Sequence, residues 1–373
     1  MRDVSRRLRK LQAYAAALAL VAGAAVIQAQ APQVPAGDVP FKIVKLDPAL
    51  DSIISPDAKL ETLGDKFGLA EGPVWMPAQN GQAGFLLFSD IAANLIYRWS
   101  ADRGLSVFLE KAGYTGKDTL NVGQQTTTGG RIAILLIGPN ALTLDPQQRL
   151  VICAMTDRNV VRIEKDGTRT VLADRYQGKR FSGPNDIAIK SDGAVYFTDS
   201  VGGLRGGDDS PQRELPYNGF YLVKDGKVTL LGSDEGHPTD FPNGIGLSPD
   251  EKYLYVTAGF GKTFRYEVQA DDTVANGKLF VDTGNDGLKV DRKGNLYSSN
   301  NARGVAEISI TSPEGKRLGA IQMPRVAAEP RPRICATNIA FGDADAKGLY
   351  ITGCSGLFHI RLNTPGISPG QKN

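Results

Sequence analysis

Residues 185–200 read NDIAIKSDGAVYFTDS: an amide and an acid, a short apolar strand, a Lys-Ser-Asp-Gly turn, and a returning strand rich in Val, Tyr and Phe. The same grammar opens at Glu71 (EGPVWMPAQNGQAGFLLFSD), Asn140 (NALTLDPQQRLVICAM), Asn243 (NGIGLSPDEKYLYVTA), Asp286 (DGLKVDRKGNLYSSN) and Asn338 (NIAFGDADAKGLYITG). Successive starts lie 43 to 69 residues apart. A third strand follows most hairpins, such as Leu95-Ile-Tyr-Arg-Trp99 or Gly219-Phe-Tyr-Leu-Val223, and a fourth often completes the set. Four short strands in roughly 40–50 residues is the period of a propeller blade. Six units therefore predict an all-β fold, a six-bladed β-propeller with four-stranded blades. The turns DPQQR, KSDGA, SPDEK and DRKGN carry the Asp, Asn and Gly that hairpins demand. A strand near Lys59–Leu63 is expected to close the ring as the outer strand of the last blade. No stretch alternates strands with helical periodicity, which argues against an α/β organisation.

Outward from the repeats, the chain divides into a leader (1–31), an N-terminal extension (32–57), the propeller (58–362) and a C-terminal tail (363–373). Arg2, Arg6, Arg7, Arg9 and Lys10 precede a 15-residue apolar run from Ala13 to Ile27, and the small residues Ala29 and Ala31 follow. That order predicts a cleavable signal peptide and a periplasmic or secreted protein. The run falls short of the ~20 residues that span a bilayer, so stable membrane anchoring is not expected. Ser5-Arg6-Arg7-Leu8 is a partial match to a twin-arginine signal. Removing the leader's five basic residues and one Asp from totals of 43 and 40 leaves 38 against 39, a near-neutral chain. With no basic cluster interleaved with aromatics, nucleic acid is not an expected partner. Three Cys are too few for a disulfide scaffold. Cys335 and Cys354 do lie near the ends of a predicted hairpin, where one bridge can form, leaving Cys153 as a buried thiol.

The innermost strand of every blade lines the axis, so a recurring position points to one place. Here it holds Glu71, Asn140, Asn185, Asn243, Asp286 and Asn338. Packing alone does not ask for buried acids and amides. Oxygen ligands with two charges suit a hard divalent cation, Ca²⁺ first, with Zn²⁺, Mg²⁺ or Mn²⁺ as alternatives. Asx-type turns at the strand starts are the competing explanation. Softer ligation is disfavoured, because the two His, His237 and His359, fall in unrelated repeat positions. Two long polar segments, 111–137 and 201–218, interrupt the spacing and are candidates for a lid over the central well. Trp75 and Trp99 are expected to pack between blades.

Glu71-Gly-Pro-Val-Trp75, Gly183-Pro-Asn-Asp186 with Tyr196-Phe-Thr-Asp199, Pro242-Asn-Gly244 and Asn285-Asp-Gly287 occur in that order at blade spacing. In these motifs residues 58–362 resemble the regucalcin/gluconolactonase family of metal-dependent lactonases, and Ala173–Arg180 looks like its bacterial members. The resemblance implies that Glu71, Asn243 and Asp286 bind the metal, with Asn185 beside it as ligand or substrate contact. Animal members carry a sugar-contacting Arg two residues before that Asn; Gly183 stands there in this chain, and Arg180 or Lys179 is the substitute to test. Asn140 and Asn185 would orient substrate, and Asp286 would serve as general base. The function implied is an exported metal-dependent hydrolase opening a small lactone, a sugar lactone by resemblance. A non-enzymatic binding propeller with a structural metal, or a phosphotriesterase or arylesterase of the same fold, would present the same ring. No Gly-x-Ser-x-Gly elbow supports nucleophilic serine chemistry.

Overall fold

The protein is described by a computed structural model that covers residues 40–370, apart from 80, 120, 129–130, 236–240, 259–260, 302–304 and 325–334. The expected signal peptide and His237 lie outside the described residues. Six antiparallel sheets form the blades, each running outward from an axial strand. The axial strands are Ala70–Met76, Leu142–Leu144, Pro184–Ile189, Pro242–Leu247, Leu288–Val290 and Asn338–Gly342. The strand Glu61–Gly64 pairs with Gly356–Arg361, so the N-terminal part of the chain closes the sixth blade as expected.

Two segments set apart from the propeller in the sequence belong to it structurally. Lys42–Lys45, in the expected extension, adds a fifth strand to the fifth blade by pairing with Arg317–Gln322. The tail also packs on the ring. Pro365 accepts from the Arg292 amide, and residues 367–370 line a cavity of about 80 Å³ with Thr143, Ile189, Leu247 and Lys289. Arg292 belongs to a turn between the first and second strands of its blade, so the tail covers the face opposite the ring residues.

Between each pair of neighbouring blades sits one apolar cluster, because each sheet presents apolar side chains on both faces. Val74, Leu87, Leu142 and Ile152 join the first two blades; Phe181, Phe197, Val151 and Tyr221 join the next two. Clusters around Phe220 and Val256, Tyr255 and Leu288, Ile308 and Ile351, and Phe88 and Tyr350 complete the circuit. Trp75 stacks on Tyr350 at 5.4 Å, and Trp99 packs on the same ring at 5.7 Å. Both tryptophans are thus packing residues between the last and first blades. His359 is nearly buried, 3.1 Å from Glu61 and 3.3 Å from Asp343, and does the same structural work.

Candidate functional site

Backbone irregularity sets the site. In the first, third and fourth blades the register between the axial strand and its neighbour shifts at Gly72-Pro73, Asn185-Asp186 and Asn243-Gly244, where two residues face one. Such bulges turn side chains out of the normal alternation. In the second and fifth blades the ladder starts only at Leu142 and Leu288, leaving Asn140 and Asp286 in the approach to the strand.

Side-chain hydroxyls then join neighbouring blades beside the ring at four of the six junctions, three of them from the second strand. Thr198 Oγ1 accepts from Asp186 N at 3.0 Å and donates to Asn243 O at 2.6 Å. Thr257 repeats this one blade on, accepting from Gly244 N at 2.7 Å and donating to Asp286 O at 2.8 Å. Ser89 donates to Asn140 O at 2.6 Å, and Thr337 to Ala70 O at 2.7 Å. Backbone bonds span the other two junctions, Ala141 N to Asn185 O and Gly287 N to Thr337 O. Glycine lets the blades come this close. A Cβ on Gly287 would stand 2.1 Å from the Asn338 side chain, and one on Gly72, where φ is +51°, 2.4 Å from Asn140 O.

The side chains so placed form two linked groups. Asn338 donates to both Glu71 and Asp186, and its Oδ1 accepts from Ile339 N at 2.9 Å and from Lys289 Nζ at 3.4 Å. Lys289 Nζ lies 3.8 Å from Asp186 Oδ2. Asn243 donates to Asp286, whose carboxyl is pushed well up by burial and by the charges of Glu71 and Asp186. Burial and Asp186 raise Glu71 to about 7, while burial raises Asp186 against the pull of Lys289. Glu71, Asn243 and Asp286 are therefore gathered, with Asn185 half-buried next to Asp186. Asn140 turns its amide nitrogen toward Met155 Sδ at 3.8 Å.

Arg180 is placed differently. Its guanidinium donates to Asp157 O at 2.8 Å, and its backbone N–H donates to Glu214 at 2.8 Å. Those partners tie it to the rim between the second and third blades, and no contact recorded for it reaches a ring residue. Gly183 has a steric reason: a Cβ there would lie 2.3 Å from Gly203 N, so the 201–203 turn occupies the space a longer side chain would need. That turn also meets the other long segment, with Gly123 N donating to Gly203 O at 3.2 Å and Arg205 donating to Asn121 at 2.7 Å. Both segments leave strands at the face where the ring residues sit, and they meet there.

The donor set fits a hard cation. Asn140 Oδ1 and Asn243 Oδ1 are buried acceptors with no donor among the described residues, beside carboxylates that burial and mutual repulsion leave underused. Among the described residues no three His, Cys, Asp or Glu gather in a metal-holding cluster, so a cation held here would need carboxamide oxygens as well. Sequence reasoning passed over Asp186 and Lys289. It also missed the clasping hydroxyls, although three of them, Ser89, Thr198 and Thr257, hold one repeat position that aligning the units displays.

Residues 69–355 match the family model described as the SMP-30/gluconolactonase/LRE-like region. A gluconolactonase of Zymomonas mobilis is 32% identical over 343 residues, 87% of each chain. A solved gluconolactonase structure from Xanthomonas campestris superposes with a TM-score of 0.66 at 27% identity, covering 87% of this chain and 98% of that one. Regucalcin from Agrobacterium tumefaciens, described as a calcium-binding protein, shares the fold with a TM-score of 0.60 at 17% identity over 84% of this chain and 96% of its own.

Proposed function

The chain belongs to the SMP-30/gluconolactonase/LRE-like family, and from that premise we propose that it is a divalent-cation-dependent lactonase acting on small sugar-type lactones. The observation that carries this is the convergence of Glu71, Asn243 and Asp286 with an orphaned Asn243 Oδ1 at one end of the channel. Glu71, Asn243 and Asp286 would hold the cation, with Asn185 as a further oxygen donor, and Ca²⁺ is the ion this oxygen set suits best. When bound, such a cation polarises the lactone carbonyl as a Lewis acid.

The chain's own groups do the rest. Asp286 accepts the proton of the attacking water, whose oxygen bonds to the carbonyl carbon. As the ring C–O bond breaks, the same proton passes to the departing ring oxygen, and the product is a hydroxy acid. Asn243, donating to Asp286, fixes the carboxyl that does this. Asn140 and Asn185 offer amides to substrate hydroxyls, and the paired segments over the well limit its access to water. With no side chain at Gly183, sugar contacts on that side fall to the 201–203 turn.

We also place the mature chain outside the cytoplasm. The leader supports this, as does the Cys335–Cys354 disulfide, with Cα atoms 5.3 Å apart, since such bonds persist in oxidising compartments. Turnover of a panel of sugar lactones, aliphatic lactones and phosphotriesters tests the substrate class. Sugar lactones are expected to lead in kcat/KM. Phosphotriester turnover alone would move the reading to the arylesterase and phosphotriesterase chemistry of the same fold.

A further inference from the structure

Glu71, Asp186 and Asp286 set three carboxylates at one end of the channel, and among the described residues Glu71 and Asp286 have no ion-pair partner. Lys289 is the cation set against them. It follows Asp286 by three residues, on the axial strand, with Nζ 3.8 Å from Asp186 Oδ2, 3.4 Å from Asn338 Oδ1 and 2.9 Å from Leu288 O. Its charge is also felt at Glu71, which it draws down against burial. Asp186 is itself tied to backbone, accepting from Ile187 N at 2.8 Å and from Ile245 N at 3.2 Å, so it cannot swing up to become a ligand without breaking both bonds.

From this arrangement we propose that Lys289 is a selectivity-determining residue: by cancelling Asp186 it holds the cation-loaded site, with its three carboxyls ionised, at a net charge of minus two and so limits its preference for a trivalent over a divalent cation. The inference rests on the cation site proposed above. Three charges against one lysine leave two. Three with no lysine would strengthen the preference for a trivalent ion, because attraction grows with the product of the charges and acts here through a poorly screened interior.

The experiment is calorimetric titration of the chelated full-length protein with Ca²⁺ and, separately, with Tb³⁺, without substrate. In Lys289→Gln, which keeps a donor for Asp186, both affinities rise, and the preference for Tb³⁺ over Ca²⁺ grows about tenfold relative to wild type. Asp186→Asn should move the preference about tenfold the other way, and carries the test alone should the first variant fail to fold. Lys289→Arg keeps the charge and is expected to keep the wild-type ratio. Wild-type binding with a ratio unmoved in both neutralising variants overturns the role of Lys289 while leaving the cation site standing. A wild-type protein that binds neither ion overturns the site and this inference together.

Discussion

The Thr257 hydroxyl links Gly244, beside the ring residue Asn243, to the ring residue Asp286 of the next blade, accepting from Gly244 N at 2.7 Å and donating to Asp286 O at 2.8 Å. Thr257 is fully buried, so no water replaces these partners. Thr257→Val keeps the shape and removes both bonds. The expected outcome is a loss of about 2 kcal/mol in denaturant unfolding, the usual consequence of stranding buried polar groups. Cation affinity should fall with it, because Asn243 and Asp286 lose their common brace. Unchanged affinity would show that the brace is structural only.

Asp286 carries a charge that the apoprotein holds at a disadvantage, with Glu71 and Asp186 both opposing it. Asp286→Asn should therefore raise the melting temperature of the chelated protein near neutral pH while cutting lactone turnover on the order of a hundredfold or more. Circular dichroism melts and a pH-stat assay read the two effects separately. Full turnover in this variant would remove Asp286 from the mechanism.

The buried acids also give a pH signature. Burial raises Glu71 from 4.5 and Asp199 from 3.8, each to about 7, and ion-pair partners hold His359 above its ordinary 6.5. Over the span from roughly pH 4.5 to 7 the folded chain binds more protons than the unfolded one, so stability falls as pH rises. Chelated protein is expected to melt at progressively lower temperature across that span. Added Ca²⁺ should recover more at the neutral end, where it replaces protons already lost. A melting temperature that climbs with pH in the chelated protein would contradict the placement of these carboxyls.

Gly183 makes a steric prediction. Gly183→Ala places a methyl 2.3 Å from Gly203 N and 3.0 Å from Ser200 O, both backbone atoms. The 201–203 turn must move, at about 1–3 kcal/mol, and the contact between the two long segments goes with it. Thermal unfolding measures the first effect, and proteolysis at residues 111–137 the second.

Much of this was legible because a repeat projects one position six times onto one axis. The ring of Glu71, Asn140, Asn185, Asn243, Asp286 and Asn338 could be picked out without coordinates for that reason, the family resemblance narrowed it to Glu71, Asn243 and Asp286, and the ring closure by Glu61–Gly64 followed from a spare strand and an incomplete blade. Asp186 was hidden by the same device: it follows the ring position, where other units carry Gly72, Ala141, Gly244, Gly287 and Ile339, and only the bulge turns it inward. Lys289 needed the ladder's starting point. Once Leu288 and Val290 are known to bury themselves between blades, alternation leaves Lys289 toward the channel. The tail's path across the far face has no periodic signal and depends on single bonds such as Arg292 N to Pro365 O. Arg180 was a candidate only as a substitute for the sugar-contacting Arg that Gly183 replaces; Asp157 and Glu214 engage it, and neither partner belongs to a repeated position.

The central claim is that a divalent cation held by Glu71, Asn243 and Asp286 is required for lactone opening. The most direct measurement is the rate of sugar-lactone hydrolysis by chelated protein, followed while Ca²⁺ is returned in substoichiometric steps. The account predicts background hydrolysis in the chelated protein and a linear recovery that saturates at one cation per chain, with no recovery in Glu71→Gln. Full activity in protein shown by elemental analysis to be free of metal would contradict it.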